Sequence, residues 1–137
     1  MSDVMNRFKK DALLTEFKIR KLISGGLITN YFCSSRCRHC LYNCSPDWKK
    51  EYITPQVAEE NLLIIRRLGC SAVHIGGGEP LLRPEKLTTV LEVASAAGVA
   101  LDYVETNSSW FKDTDSAVAV LSRLYEKGLQ TLLVSIS

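Results

Sequence analysis

The stretch Ser71-Ala72-Val73-His74-Ile75-Gly76-Gly77-Gly78-Glu79-Pro80 decides the fold. Its first half is mainly apolar and reads as a buried strand; three glycines and Glu-Pro then break it abruptly. Upstream, Thr54-Pro55 reads as an N-cap with proline in the first helical turn, and the helix that follows carries Val57, Ile64, Ile65 and Leu68 before Gly69 ends it. Downstream, a second helix from about Pro84 to Ala97 sets Leu87, Val90, Leu91, Ala94 and Ala97 on one face, with Gly98 as its stop. Val99 to Val104 is a third strand, running into Glu105-Thr106-Asn107. A third helix from about Thr114 to Lys127 presents Val118, Leu121, Leu124 and Tyr125 and stops at Gly128, and Thr131 to Ile136 is a fourth apolar strand. In the other direction, Leu27 to Phe32 supplies the first strand, and Val4 to Ile23 reads as an amphipathic leading helix closed by Gly25 and Gly26.

Strict strand–helix alternation implies parallel strands joined by crossover helices, one strand face covered by helices and the other by a core. The expected class is therefore α/β, with (βα) repeats forming a partial, half TIM-type barrel of four strands behind an N-terminal helix. The chain divides into a helical extension, residues 1–26, and the partial barrel, residues 27–137. At 137 residues a closed eight-stranded barrel is excluded, since it takes about 200 residues or more. A chain 46% hydrophobic and 23% charged, with net charge +2, is one globular domain and neither a disordered segment nor a polybasic nucleic-acid arm. No apolar run approaches the roughly 18 residues of a membrane span, and the first residues lack a signal-peptide core, so a cytoplasmic location is expected. Because the sequence ends inside the run Leu132 to Ile136, a C-terminal remainder or another chain is expected to complete the barrel.

In a parallel sheet all strands end on one face, so Cys33, the Gly76–Glu79 turn, Glu105–Asn107 and Ser135 converge there, where parallel barrels build their sites. Cys33-Ser34-Ser35-Arg36-Cys37-Arg38-His39-Cys40 spaces three thiols as C-x3-C-x2-C. Three cysteines on a four-iron cube leave one iron open, whereas structural zinc takes four closed ligands. Cys44 extends the run to a ferredoxin-like pattern and reads either as a spare loop cysteine, the favoured reading, or as a fourth ligand. Cys70 starts the second strand at the opposite end, as a small buried hydrophobe.

Taken together, these motifs resemble the radical S-adenosylmethionine superfamily over about Leu27 to Ser137. The resemblance rests on Cys33, Cys37 and Cys40 after the first strand and Gly77-Gly78-Glu79-Pro80 after the second. It extends to Glu105-Thr106-Asn107 after the third and the serines Ser135 and Ser137 on the fourth. It implies a [4Fe–4S] cluster on the three cysteines and S-adenosylmethionine chelating the open iron. Reductive cleavage would then give a 5′-deoxyadenosyl radical for hydrogen abstraction from a peptide or small-molecule substrate. Gly77 and Gly78 are expected to let backbone carbonyls approach the methionyl ammonium, with Glu79 in the same motif. Glu105, Asn107 and Ser135 are expected cofactor contacts, the first two for ribose hydroxyls, with His39 and Tyr42 near adenine. Two departures stand out: Ser108 follows the Thr-Asn pair where many members have glycine, and Gly76 replaces a commonly larger residue. The implied partner is an electron donor such as flavodoxin or ferredoxin, with no membrane or nucleic acid involved. The alternative function is an electron-transfer or structural iron–sulfur module using Cys44 as fourth ligand.

The remaining residues take plainer readings. His74 reads as a satisfied core histidine, and Trp110 and Phe111 as packing beneath the loop before the third helix. Arg7, Lys9, Lys10, Lys18, Arg20 and Lys21 read as a solvated helix face.

Overall fold

The computed structural model describes residues 21–135. The expected leading helix and its basic face lie outside the described residues except at their C-terminal end, where Lys21 to Ser24 are not helical. Gly25 and Gly26 open a strand instead of closing a helix. The elements are β1 (Gly25–Ile28), α1 (Pro55–Arg67), β2 (Ala72–Gly76), a 3-10 turn (Pro80–Leu82), α2 (Pro84–Ala96), β3 (Ala100–Thr106), α3 (Thr114–Glu126) and β4 (Leu132–Val134). The four strands lie in sequence order in one sheet, every pairing parallel, with β1 and β4 at its edges. This open (βα) sheet is a partial TIM-type barrel, as the alternation predicted.

The helix ends follow local chemistry. The Thr54 hydroxyl accepts the Val57 N–H at 3.3 Å, and Asp113 caps α3 by accepting the Ser116 N–H at 2.8 Å. Leu62 of α1, Leu87 and Leu91 of α2 and Leu124 of α3 pack with Val73, Ile75 and Val104 in one core. Fully burying a side chain of this size contributes about 1.5–3 kcal/mol. The predicted face of α2 is the buried one, but those of α1 and α3 are rotated. α1 buries Ala58 and Leu62 with Val57, Ile64 and Leu68 exposed, and α3 buries Ala117 and Leu124 with Val118 and Tyr125 exposed. In both helices small alanines, Ala58 and Ala117, are buried where bulkier residues were expected. Cys70 is buried, its thiol donating to the Ala72 carbonyl at 2.9 Å.

The inner face of the sheet is not an apolar core. Val73 pairs with Leu101 and Ile75 with Val104, so β2 advances two residues while β3 advances three. Asp102 and Tyr103 therefore share the station opposite His74 in a β-bulge. The extra residue reverses the alternation: Val104 joins the helix-side core, while Tyr103 and Glu105 turn inward. His74 is accordingly a half-buried inner-face residue stacked on Tyr103 (ring centroids 5.2 Å apart, planes 13° apart), not a core histidine. Trp110 packs on the core, but Phe111 is exposed.

Candidate metal and cofactor site

Construction of the site begins where β1 gives out. Thr29 and Asn30 follow the strand, and the Thr29 N–H and hydroxyl both donate to the Gly76 carbonyl, at 2.9 and 3.1 Å. The glycine turn then zips onto the exiting chain: Gly78 N–H donates to Asn30 O at 2.8 Å and Glu79 N–H to Phe32 O at 3.1 Å. The Asn30 side-chain amide adds donations to Phe32 O (3.0 Å) and Glu79 O (3.4 Å).

Glycine is required here because of this contact. A Cβ on Gly78 would collide with the Phe32 carbonyl group, and one on Gly77, whose φ is +147°, would lie 2.7 Å from Asn30 O. Sequence reasoning assigned these glycines to close approach by a cofactor. Within the chain, their absent Cβ atoms make room for the backbone that delivers Cys33. Beyond it, Cys33 N–H donates to Ser45 O at 3.2 Å, closing the cysteine loop at its base.

Glu79 is the one predicted site residue that does not line the cavity. Its side chain is fully buried; Oε1 accepts from Thr106 Oγ1 (2.8 Å) and Leu81 N–H (3.0 Å), and Oε2 from Asn107 N–H (2.6 Å). Burial raises its pKa, opposed by these hydrogen bonds. Glu79 therefore ties the turn after β2 to the end of β3. Thr106, which also accepts from Trp110 Nε1 and Ser108 N–H, is the other half of this tie.

Every other predicted site residue lines a single cavity of about 270 Å³: Cys33, Cys37, His39, Cys40, Tyr42, Gly77, Gly78, Glu105, Asn107 and Ser135. Sequence reasoning did not select Ser35, Leu41 or Thr106, which line it too, nor Asn30, which holds the turn. The signal for Asn30 was a polar pair, Thr29-Asn30, at the end of an apolar strand. Both departures from the expected motifs have structural counterparts. Ser108 takes the left-handed conformation (φ 60°) that glycine would take, and Gly76 leaves room for Glu105, whose Oε2 would stand 3.2 Å from a Cβ there.

The thiols are electrostatically unequal. Burial raises the Cys33 pKa, with the charges of Glu79, Cys37 and Cys40 adding to it. At Cys40 burial acts in the same direction but is overcome by the N–H groups of Cys44, Tyr42 and Asn43, leaving its pKa below the ordinary value. Cys44 is buried beside Cys40 and also lines the cavity; burial first, then Cys40, pushes its pKa up to about 12. Among the described residues no three His, Cys, Asp or Glu side chains stand close enough to share one metal ion. A four-iron cube takes each thiolate on a different iron, so its ligands need not converge on one point. Cys33 Sγ already accepts N–H donors from Ser35 and from Asn107, both at 3.4 Å, contacts of the kind that support a ligating thiolate.

The Radical SAM superfamily profile matches residues 27–136, and the chain belongs to that superfamily. Members typically use a [4Fe–4S] cluster and S-adenosylmethionine. The chain is 31% identical over 109 residues to GTP 3′,8-cyclase of Aquifex aeolicus (strain VF5), a match covering 76% of this chain and 32% of that protein. GTP 3′,8-cyclase of Microcystis aeruginosa (strain NIES-843 / IAM M-2473) is also 31% identical, over 111 residues covering 76% and 31%. The chain thus spans about a third of the length of the curated relatives it matches. The structure of Streptococcus suis SuiB bound to S-adenosylmethionine shares the fold, with TM-score 0.57 and 20% identity over 87% of this chain and 27% of that one. Among the described residues no helix is long and apolar enough to cross a membrane.

Proposed function

We propose that Cys33, Cys37 and Cys40 hold a [4Fe–4S] cluster, with S-adenosylmethionine at the remaining iron. In this reading the chain is the N-terminal portion of a radical S-adenosylmethionine enzyme. The observation that carries it is the meeting of three thiols with Gly77, Gly78, Glu105, Asn107 and Ser135 around one cavity. When bound, cluster and cofactor supply one-electron reductive cleavage to a 5′-deoxyadenosyl radical that abstracts a substrate hydrogen atom. The protein's own work is placement. The Asn30–Gly78 zipper positions Cys33, and Glu79 with Thr106 fixes the end of β3. The β-bulge turns Glu105 inward, where its carboxylate and the Asn107 and Ser135 side chains offer acceptors and donors to ribose and amino groups. His39 and Tyr42, on the cysteine loop, flank the adenine side.

The electron donor is a small reductant such as flavodoxin or ferredoxin, and a reducing cytoplasm suits the open cluster. The names of the curated relatives make a purine nucleotide, GTP first, the substrate class to test by calorimetric binding to reconstituted protein. The position of Cys44 on the same cavity favours a second reading, in which it is the fourth ligand of a fully protein-bound cluster. Anaerobic reconstitution separates the two. The enzyme reading expects Cys44→Ser to keep its cluster and to yield 5′-deoxyadenosine with dithionite and S-adenosylmethionine, while Cys37→Ser keeps no four-iron cluster. Loss of the cluster in Cys44→Ser would favour the second reading.

A further inference from the structure

Asn107 does more at the site than offer a ribose contact. Its side-chain Nδ2 lies 3.4 Å from Cys33 Sγ, 3.3 Å from Ser34 Oγ and 3.1 Å from Ser35 Oγ, all at the start of the cysteine loop. The residue is held through both its backbone and its side chain. Its backbone N–H donates to the buried Glu79 carboxylate at 2.6 Å, and its Oδ1 accepts the Ser109 N–H at 2.9 Å. With Oδ1 engaged by the turn, the NH2 group is the end that meets the cysteine loop. Cys33 is itself nearly buried, so a donor on its sulfur acts where water screens little.

We propose that Asn107 is a positioning residue that tunes the cluster, donating a hydrogen bond to the Cys33 sulfur and so raising the cluster's reduction potential. This rests on the reading that Cys33, Cys37 and Cys40 hold the cluster. The physical basis is general: adding an electron makes the cluster more negative, and a donor on a ligating sulfur stabilises the more negative state. Glu79 then acts indirectly, as the buried anchor that holds the Asn107 backbone in place. The motif after β3 thereby links cofactor binding and electron uptake through one amide.

The test is an EPR-monitored dithionite titration of anaerobically reconstituted wild type, Asn107→Ala and Asn107→Asp. Asn107→Ala removes the donor without adding charge. Asn107→Asp keeps the Oδ1 acceptor for Ser109, protecting the turn if the alanine variant folds poorly. The expected result is retained iron in a folded variant and a midpoint potential more negative than wild type in both, further so in Asn107→Asp because of its charge. A purely structural role would lower iron content and leave the potential of the remaining cluster unmoved. Clusters with wild-type potential in both variants would overturn this proposal alone. A wild-type protein that takes up no [4Fe–4S] cluster would overturn the functional reading as well.

Discussion

Replacing Gly78 by alanine tests whether the glycine turn delivers the first cysteine. The new Cβ would collide with the Phe32 carbonyl and lie 2.9 Å from Tyr31 C, all backbone atoms that no rotamer change relieves. Relief requires moving the Asn30–Cys33 segment, which breaks the Gly78–Asn30 and Glu79–Phe32 hydrogen bonds. Overpacking costs about 1–3 kcal/mol and each lost backbone bond about 1 kcal/mol, so the variant loses about 3–5 kcal/mol. With a urea slope of about 1.5–2 kcal/mol/M, the unfolding midpoint falls by about 2 M. Gly128→Ala is the matched control: nothing lies within 4 Å of its Cβ, and its φ of +95° imposes only a conformational penalty of about 1 kcal/mol. Urea unfolding followed by circular dichroism reads stability, and iron content after reconstitution reads the cysteine loop. A Gly78→Ala protein no less stable than the control, with wild-type iron, would refute the zipper as the device that places Cys33.

Three further outcomes follow from the geometry. Ser108→Gly relieves a left-handed backbone and raises stability by up to about 1 kcal/mol in the same urea assay. Glu79→Gln points an NH2 group at either the Asn107 N–H or the Thr106 and Leu81 donors and costs about 1–3 kcal/mol at acidic pH. The folded pKa of Glu79 is raised, so its contribution to wild-type stability falls as pH climbs from the ordinary carboxylate range through that raised value. The gap between wild type and variant therefore narrows with pH, and a gap that widens would contradict the burial argument. In cluster-free protein at pH 8, iodoacetamide modifies Cys40, whose pKa is lowered, before Cys33, and Cys44, whose pKa is pushed furthest up, last; peptide mass mapping over time reads the order.

Much of this was legible in sequence because it is periodic or local. Alternating strands and helices gave a parallel sheet, and a parallel sheet brings Cys33, Gly77, Glu105 and Ser135 to one face. What was not legible depended on single-residue insertions and on partners distant in the chain. The bulge at Asp102–Tyr103 breaks period-two counting along β3 without any glycine to mark it, so the inward turn of Tyr103 and Glu105 could not be counted from the sequence, and with it the ring that stacks on His74. Glu79 looks like a site carboxylate in its motif, yet its partners, Thr106 and Asn107, stand one βα unit away and turn it inward. The faces of α1 and α3 were misjudged because bulk was taken as the sign of burial, whereas the small Ala58 and Ala117 are among the residues those helices bury.

The EPR spectrum of reduced, reconstituted protein before and after addition of S-adenosylmethionine tests the central claim most directly. An open iron facing the cavity predicts a spectrum that changes when the cofactor is added, in wild type and equally in Cys44→Ser. A spectrum indifferent to the cofactor, together with loss of iron in Cys44→Ser, would contradict the claim and leave a fully protein-ligated cluster in its place.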